Sequence, residues 1–87
     1  MTRVMIPSQL IAYTGGATRV EADGPTVDAV MHDLDRQYAG LRFRVVDEQG
    51  RIRKHMRIFV GLDRVEALDR PLAAGDEMLI FGALSGG

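Results

Sequence analysis

The sequence predicts an α+β domain in which one mixed sheet wraps around a single main helix, followed by a flexible C-terminal tail. Three observations carry that prediction. The segment Val27 to Tyr38 has helical period, the segments on either side of it alternate with period two, and Ser85-Gly86-Gly87 closes the chain soon after the apolar run Met78-Leu79-Ile80-Phe81. Two strands, one helix and two or three further strands most simply make a single sheet with the helix on one face. The expected division is a folded domain over 1–81 and a tail over 82–87.

The elements follow in order. Arg3-Val4-Met5-Ile6 alternates polar and apolar and reads as an opening strand, broken at Pro7-Ser8 and expected to resume over Leu10 to Tyr13. Thr14-Gly15-Gly16-Ala17 supplies the glycines of a tight hairpin turn, and Thr18 to Ala22 is the returning strand, with Val20 and Ala22 on one face. After Asp23-Gly24-Pro25, Thr26 is placed to cap a helix by accepting a free backbone N–H. Val27, Val30, Met31, Leu34 and Tyr38 then form one apolar stripe, with Asp28, Asp33, Asp35 and Arg36 on the wet side and Gly40 as the stop.

From Leu41 the period returns to two. Arg42 and Arg44 lie on one side and Phe43 and Val45 on the other, which predicts a short strand. Asp47-Glu48-Gln49-Gly50 is a turn, Arg51 to His55 a polar connection, and Met56 to Val60 another strand ending at Gly61. The loop Pro71 to Asp76 delivers the last strand, Glu77 to Phe81.

Composition narrows the function. A chain of 87 residues is one small domain that buries about 60 to 65% of its unfolded surface. With 46% hydrophobic and 26% charged residues it has the composition of a folded domain. The absence of cysteine removes disulfides, a thiolate nucleophile and Cys-ligated zinc. Pro7 interrupts any signal-peptide core and no run reaches membrane-spanning length, so a cytoplasmic protein without a membrane partner is expected. A net charge of -1, with aromatic residues that are not spaced as a base-stacking platform, argues against nucleic acid as a partner.

The search for catalytic groups points away from an enzyme. His32 and His55 lack metal-ligand spacing, so no metal site is expected. Ser8 and Ser85 suit no Ser/His/Asp order, and Asp47-Glu48 is turn chemistry, because adjacent side chains diverge. Gly15-Gly16 lacks the helix and lysine of a phosphate loop. The dense basic residues Arg42, Arg44, Arg51, Arg53, Lys54 and Arg57 read as a solvated sheet edge, with an electrostatic guide for an acidic partner as the second reading.

Strand alternation leaves a different feature. If Met56, Ile58, Val60, Met78 and Ile80 face the helix, then Phe59, Leu79 and Phe81 face outward and, with Leu84 beyond them, form a partner-docking patch. The alternative is that the loop Leu62 to Ala74 covers it. Beside this patch, Gly86 and Gly87 place a carboxylate on backbone without side chains, thin enough for a narrow channel. At this chain's glycine content a Gly-Gly ending arises by chance in roughly one chain in 75.

Gly75-Asp76-Glu77-Met78-Leu79-Ile80-Phe81 followed by Gly82-Ala83-Leu84-Ser85-Gly86-Gly87 resembles the C-terminal signature of the ubiquitin-like sulfur-carrier proteins. That family includes the small subunit of molybdopterin synthase, the thiamine sulfur carrier and the carrier of a dedicated cysteine synthase. Pro25-Thr26-Val27, Ile58-Phe59-Val60 and Leu72 fall where the family has its helix start, middle strand and pre-tail loop. Ile6-Pro7 and Thr14-Gly15-Gly16 look most like the cysteine-synthase carrier. Many members carry prolines before the tail, where this chain has Gly82-Ala83.

The resemblance implies a β-grasp, ubiquitin-like fold. It also implies that an E1-like activating enzyme adenylates the Gly87 carboxylate with ATP, that sulfur replaces AMP to leave a thiocarboxylate, and that Ser85, Gly86 and Gly87 carry it to an acceptor. The acceptor would be a cysteine synthase, the large subunit of molybdopterin synthase or a thiazole synthase. No stably bound cofactor is implied, since the sulfur is held covalently at Gly87. Two other readings stand beside it: a protein modifier conjugated through Gly87, and a non-covalent ubiquitin-fold interaction module.

Overall fold

In the computed structural model, which describes residues 1–82, Thr2–Met5 (β1) pairs antiparallel with Arg19–Ala22 (β2) and parallel with Glu77–Gly82 (β5). On its other side β5 pairs antiparallel with Met56–Val60 (β3), which carries the two-residue edge strand Asp63–Arg64 (β4). The order β2-β1-β5-β3-β4 puts the last strand in the middle of the sheet, between the first and the third. This mixed sheet around one main helix is the β-grasp arrangement that the resemblance implied.

The helix α1, Val27–Gln37, forms where the apolar stripe predicted it. Thr26 stands in extended conformation and its hydroxyl accepts the Ala29 N–H at 3.1 Å, so one orphan donor of the first turn is satisfied. Asp28 in the first turn and Arg36 in the last complement the helix dipole. Val27, Val30, Met31 and Leu34 are buried against Val4, Val20, Ala22, Ile58, Met78 and Ile80 on one face of the sheet. Tyr38 ends the helix half-buried, its N–H still bonded to Leu34.

Two predicted strands are helices. Ser8–Thr14 is a 3-10 helix and not a resumption of β1. Pro7 cannot donate to the sheet, its carbonyl accepts the Leu10 N–H at 2.9 Å, and the turn that follows buries Leu10 and Thr14 together. Gly15 and Gly16, both at positive φ, end this helix and do not join two strands directly; the Gly16 N–H bonds to Ile11 O. The hairpin of β1 and β2 therefore closes over a long excursion from Ile6 to Thr18, pinned where the Ile6 N–H meets Thr18 O.

Leu41–Val45 is the second correction: it forms the short helix α2. The Asp35 carboxylate accepts the N–H groups of Gly40 and Arg42, so a side chain of α1 nucleates the next turn. Leu41 and Val45, four residues apart, are both buried, while Phe43 is 55% exposed. Arg42 reaches Asp28 on α1 at 3.1 Å and so belongs to a helix contact and not to the basic sheet edge.

The remaining boundaries shift less. Asp47 closes the expected turn by accepting the Gln49 and Arg51 N–H groups. The connection that follows bridges Val46 to Ile52 before β3 begins. The last strand runs one residue further than expected, through Gly82, which pairs with Met56.

Candidate functional site

The sheet has two faces and only one carries α1. On the other, period two in each strand and the pairing register together lay out transverse rows. Met5 pairs with Arg19 and Leu79, Leu79 with Phe59, and Phe59 with Arg64. An apolar row of Met5, Leu79 and Phe59 thus crosses the three central strands and ends on an arginine at each edge. In the next row Phe81 stands opposite Arg57.

Of the predicted docking residues, the structure brings Phe59, Leu79 and Phe81 together on this outer face. Phe59 and Leu79 are half-buried, because neighbours in the row cover their flanks, and Phe81 is 48% exposed. The rings of Phe59 and Phe81 meet edge to face, with centroids 5.6 Å apart. The loop expected as a possible cover goes elsewhere. Val65 is buried in the core, Leu68 and Leu72 pack against it, and the carbonyls of Leu68 and Arg70 accept the N–H groups of Asp28 and Val27 at the start of α1. Leu84, Ser85, Gly86 and Gly87 lie outside the described residues.

Met5 joins the predicted residues on this face, since its alternation with the buried Val4 and Ile6 turns it outward. What alternation alone lacks is the strand order that sets Met5 beside Leu79.

The basic residues divide by position. Arg51, Arg53, Lys54 and Arg57, joined by Arg64, line a hollow of about 520 Å³ whose one carboxylate is Glu66. Arg57 and Arg64 also edge the apolar rows, Arg64 with the Glu66 carboxylate 3.7 Å away, so cations outnumber carboxylates on the β3–β4 side of the patch. The β2 side is mixed, since Arg3 pairs with Glu77 at 3.1 Å and lies opposite Glu21. Arg53 stacks over the Phe43 ring at 4.4 Å and donates to the Phe43 carbonyl.

Among the described residues no group of three His, Asp or Glu side chains is arranged to hold a metal ion. His32 lies 3.6 Å from the Asp28 carboxylate on the exposed side of α1. No described helix is long and apolar enough to cross a membrane. What the geometry offers is an outward apolar row at the centre of the sheet and, three residues beyond Leu79, the end of β5 at Gly82.

The ThiS family model matches residues 4–87 of the sequence. The chain belongs to the ThiS family. It is 35% identical over 89 residues to the sulfur carrier protein CysO of Mycobacterium tuberculosis, covering 97% of this chain and 96% of that one. The fold is similar to that in the crystal structure of the Amycolatopsis orientalis BexX/CysO complex, with a TM-score of 0.92, 31% identity and full coverage of both chains. It is also similar to Haloferax volcanii small archaeal modifier protein 1, with a TM-score of 0.75 and 26% identity over 95% of this chain and 97% of that one. As a ThiS-family member with CysO relatives, the protein falls in the sulfur-carrier class with the β-grasp fold, as the sequence signature implied.

Proposed function

We propose that this sulfur carrier works through the carboxylate of Gly87, and that the outer face of its sheet docks the enzymes that charge and discharge it. A carboxylate is a poor electrophile at neutral pH. An E1-like enzyme would join it to the α-phosphate of ATP with release of pyrophosphate, giving a mixed anhydride whose carbonyl can be attacked. Sulfide, or a donor delivering its equivalent, would then form the C–S bond as the C–O bond to AMP breaks. The product is a thiocarboxylate, a soft nucleophile for the acceptor.

The observation that carries this reading is the placement of β5. The strand that leads to Gly87 runs through the centre of the sheet and presents Leu79 and Phe81 on the outer face just before Gly82. A partner seated on that face would meet the patch and the start of the tail at once, with Arg57 and Arg64 favouring an acidic surface on the β3–β4 side. The protein itself supplies no acid, base or metal to the reaction and acts as a protein-sized cosubstrate. The likeness of Ile6-Pro7 and Thr14-Gly15-Gly16 to the cysteine-synthase carrier favours an acceptor of that type over the molybdopterin and thiazole enzymes, and a cytoplasmic setting is part of the same reading.

Incubation with an activating enzyme, ATP and sulfide is expected to raise the intact mass by about 16 Da, sulfur replacing oxygen. Methionine oxidation adds the same nominal mass. The increment must therefore be located in the fragment after Phe81, which contains no methionine. Deletion of Gly87 should abolish it. A mass unchanged with every candidate activating enzyme, or a fully competent deletion variant, would sink the proposal. The likeness to a modifier protein keeps conjugation through Gly87 as the second reading, and high-mass adducts on target lysines would favour it.

A further inference from the structure

The end of β5 is held on one side only by a strand. Its ladder with β3 runs to the pair Met56 and Gly82, whereas its ladder with β1 stops at Met5 and Leu79. Pro7 then turns the chain into the 3-10 helix, so residues 80–82 of β5 outrun their parallel neighbour. The vacant side is filled by a side chain. Gln9 Nε2 donates to the Gly82 carbonyl at 3.1 Å, across 73 residues of sequence.

Gly82 itself supplies a second observation. Its φ is not in the left-handed region, so its backbone conformation does not require glycine. A side chain there would instead compete with the Gln9 carboxamide for space. A Cβ at this position would lie 2.3 Å from Gln9 Nε2 and 2.8 Å from Gln9 Cδ. The carboxamide of Gln9 rests where any other residue at 82 would carry its side chain, and the two positions fit each other.

We propose that Gln9 is a positioning residue for the sulfur-transfer tail: it latches the last residue of β5, so that the chain leaves the sheet from a fixed root and in one direction. The proposal rests on Gly87 being the working end. Five residues separate Gly82 from the end of Gly87, and fully extended they reach at most about 18 Å. Over so short a reach, the direction of the root decides whether the carboxylate enters an active site once the sheet has docked. A free root adds an ordering cost to every encounter, which appears in binding and not in the chemical step.

The test compares the wild type with Gln9→Glu, Gly82→Ala and the double variant. Gln9→Glu keeps the length of the side chain but loses the N–H donor, and Gly82→Ala evicts the carboxamide from the other side. Each single variant is expected to raise the apparent KM for thiocarboxylate formation about three- to tenfold, the range of one net hydrogen bond, with kcat nearly unchanged. The double variant should be no worse than the worse single one, because both break the same contact. Unchanged KM in the single variants, additive losses, or losses that merely follow a falling Tm would overturn the latch. A readout free of the activating enzyme separates this from a failure of the sulfur-carrier chemistry at Gly87. The Gln9 side-chain amide signals in NMR should be slow to exchange in the wild type and fast in Gly82→Ala. Equal exchange in both proteins refutes the latch even if no sulfur is ever transferred.

Discussion

The Phe59 and Phe81 rings meet at 82° with their centroids 5.6 Å apart, one on β3 and the other diagonally across on β5. Strand register makes this contact. Phe59 lies opposite Leu79 and Phe81 opposite Arg57, so the two rings are diagonal neighbours on the outer face, within reach of aromatic side chains. The half-buried Phe59 supports the Phe81 ring from the side, and a partner docking on this face as proposed would meet an aromatic edge.

Replacing Phe81 by Ala is therefore expected to weaken binding to the activating enzyme by about 5- to 30-fold, as for an anchoring aromatic at an interface. Phe81→Asp should weaken it further. Since Phe81 is 48% exposed, Tm should fall only a few degrees. Calorimetric titration against the activating enzyme checks this, and an affinity unchanged by Phe81→Asp would remove the outer face from the docking surface.

Gly24 makes a second prediction, about stability. A Cβ there would lie 2.6 Å from the Ala29 Cβ and 2.8 Å from both the Ala29 carbonyl carbon and the Val30 nitrogen. The last two are backbone of the first turns of α1 and have no rotamer by which to yield. Gly24→Ala should therefore cost about 1–3 kcal/mol through overpacking. Urea unfolding measures it, and a neutral result would mean that the loop Asp23 to Pro25 can move away from α1.

How much of this was legible in the sequence depends on the range of the forces involved. The strands β1, β2, β3 and β5 and the helix α1 are written in local periodicity, which the core then uses as it stands. Alternation over Arg42 to Val45 misleads because so short a run also fits a helical turn, in which Leu41 and Val45 share a face. Asp35, bonding back from α1, decides between them. Leu10 to Tyr13 is a similar case, decided by Pro7. Among the site residues, Phe59, Leu79 and Phe81 follow from alternation alone. Met5 needs the strand order, and Gln9 carries no local signal, because its partner is 73 residues away.

The helical reading of α2 yields a paired prediction. Leu41 is fully buried, so Leu41→Ala should destabilise by about 2–5 kcal/mol. Phe43, which a strand would have turned inward, is 55% exposed and meets the Arg53 guanidinium. Phe43→Ala should then cost about 1 kcal/mol or less. Thermal unfolding of both variants checks the assignment, and the opposite ranking would restore the strand.

The last prediction concerns acid. The Asp33 carboxylate accepts the Asp23 backbone N–H at 2.9 Å, and Arg36 and Gln37 also donate to it, so it ties the end of β2 to α1. These contacts, led by the Asp23 N–H, hold its pKa below the ordinary carboxylate value. Asp47 is lowered as well, first by the Arg51 N–H in its turn. A group whose pKa is lower in the folded state takes up its proton more readily in the unfolded chain. Its contribution is therefore complete above the unfolded pKa of about 3.9 and is lost as pH falls through the lower folded value. Asp33→Asn should reduce stability at pH 7 and flatten the fall in Tm below about pH 4, and Asp47→Asn should do the same more locally. Melting curves taken from pH 7 down to about pH 2 decide it. An acid limb as steep in the Asp33→Asn variant as in the wild type would show that other carboxylates govern acid unfolding.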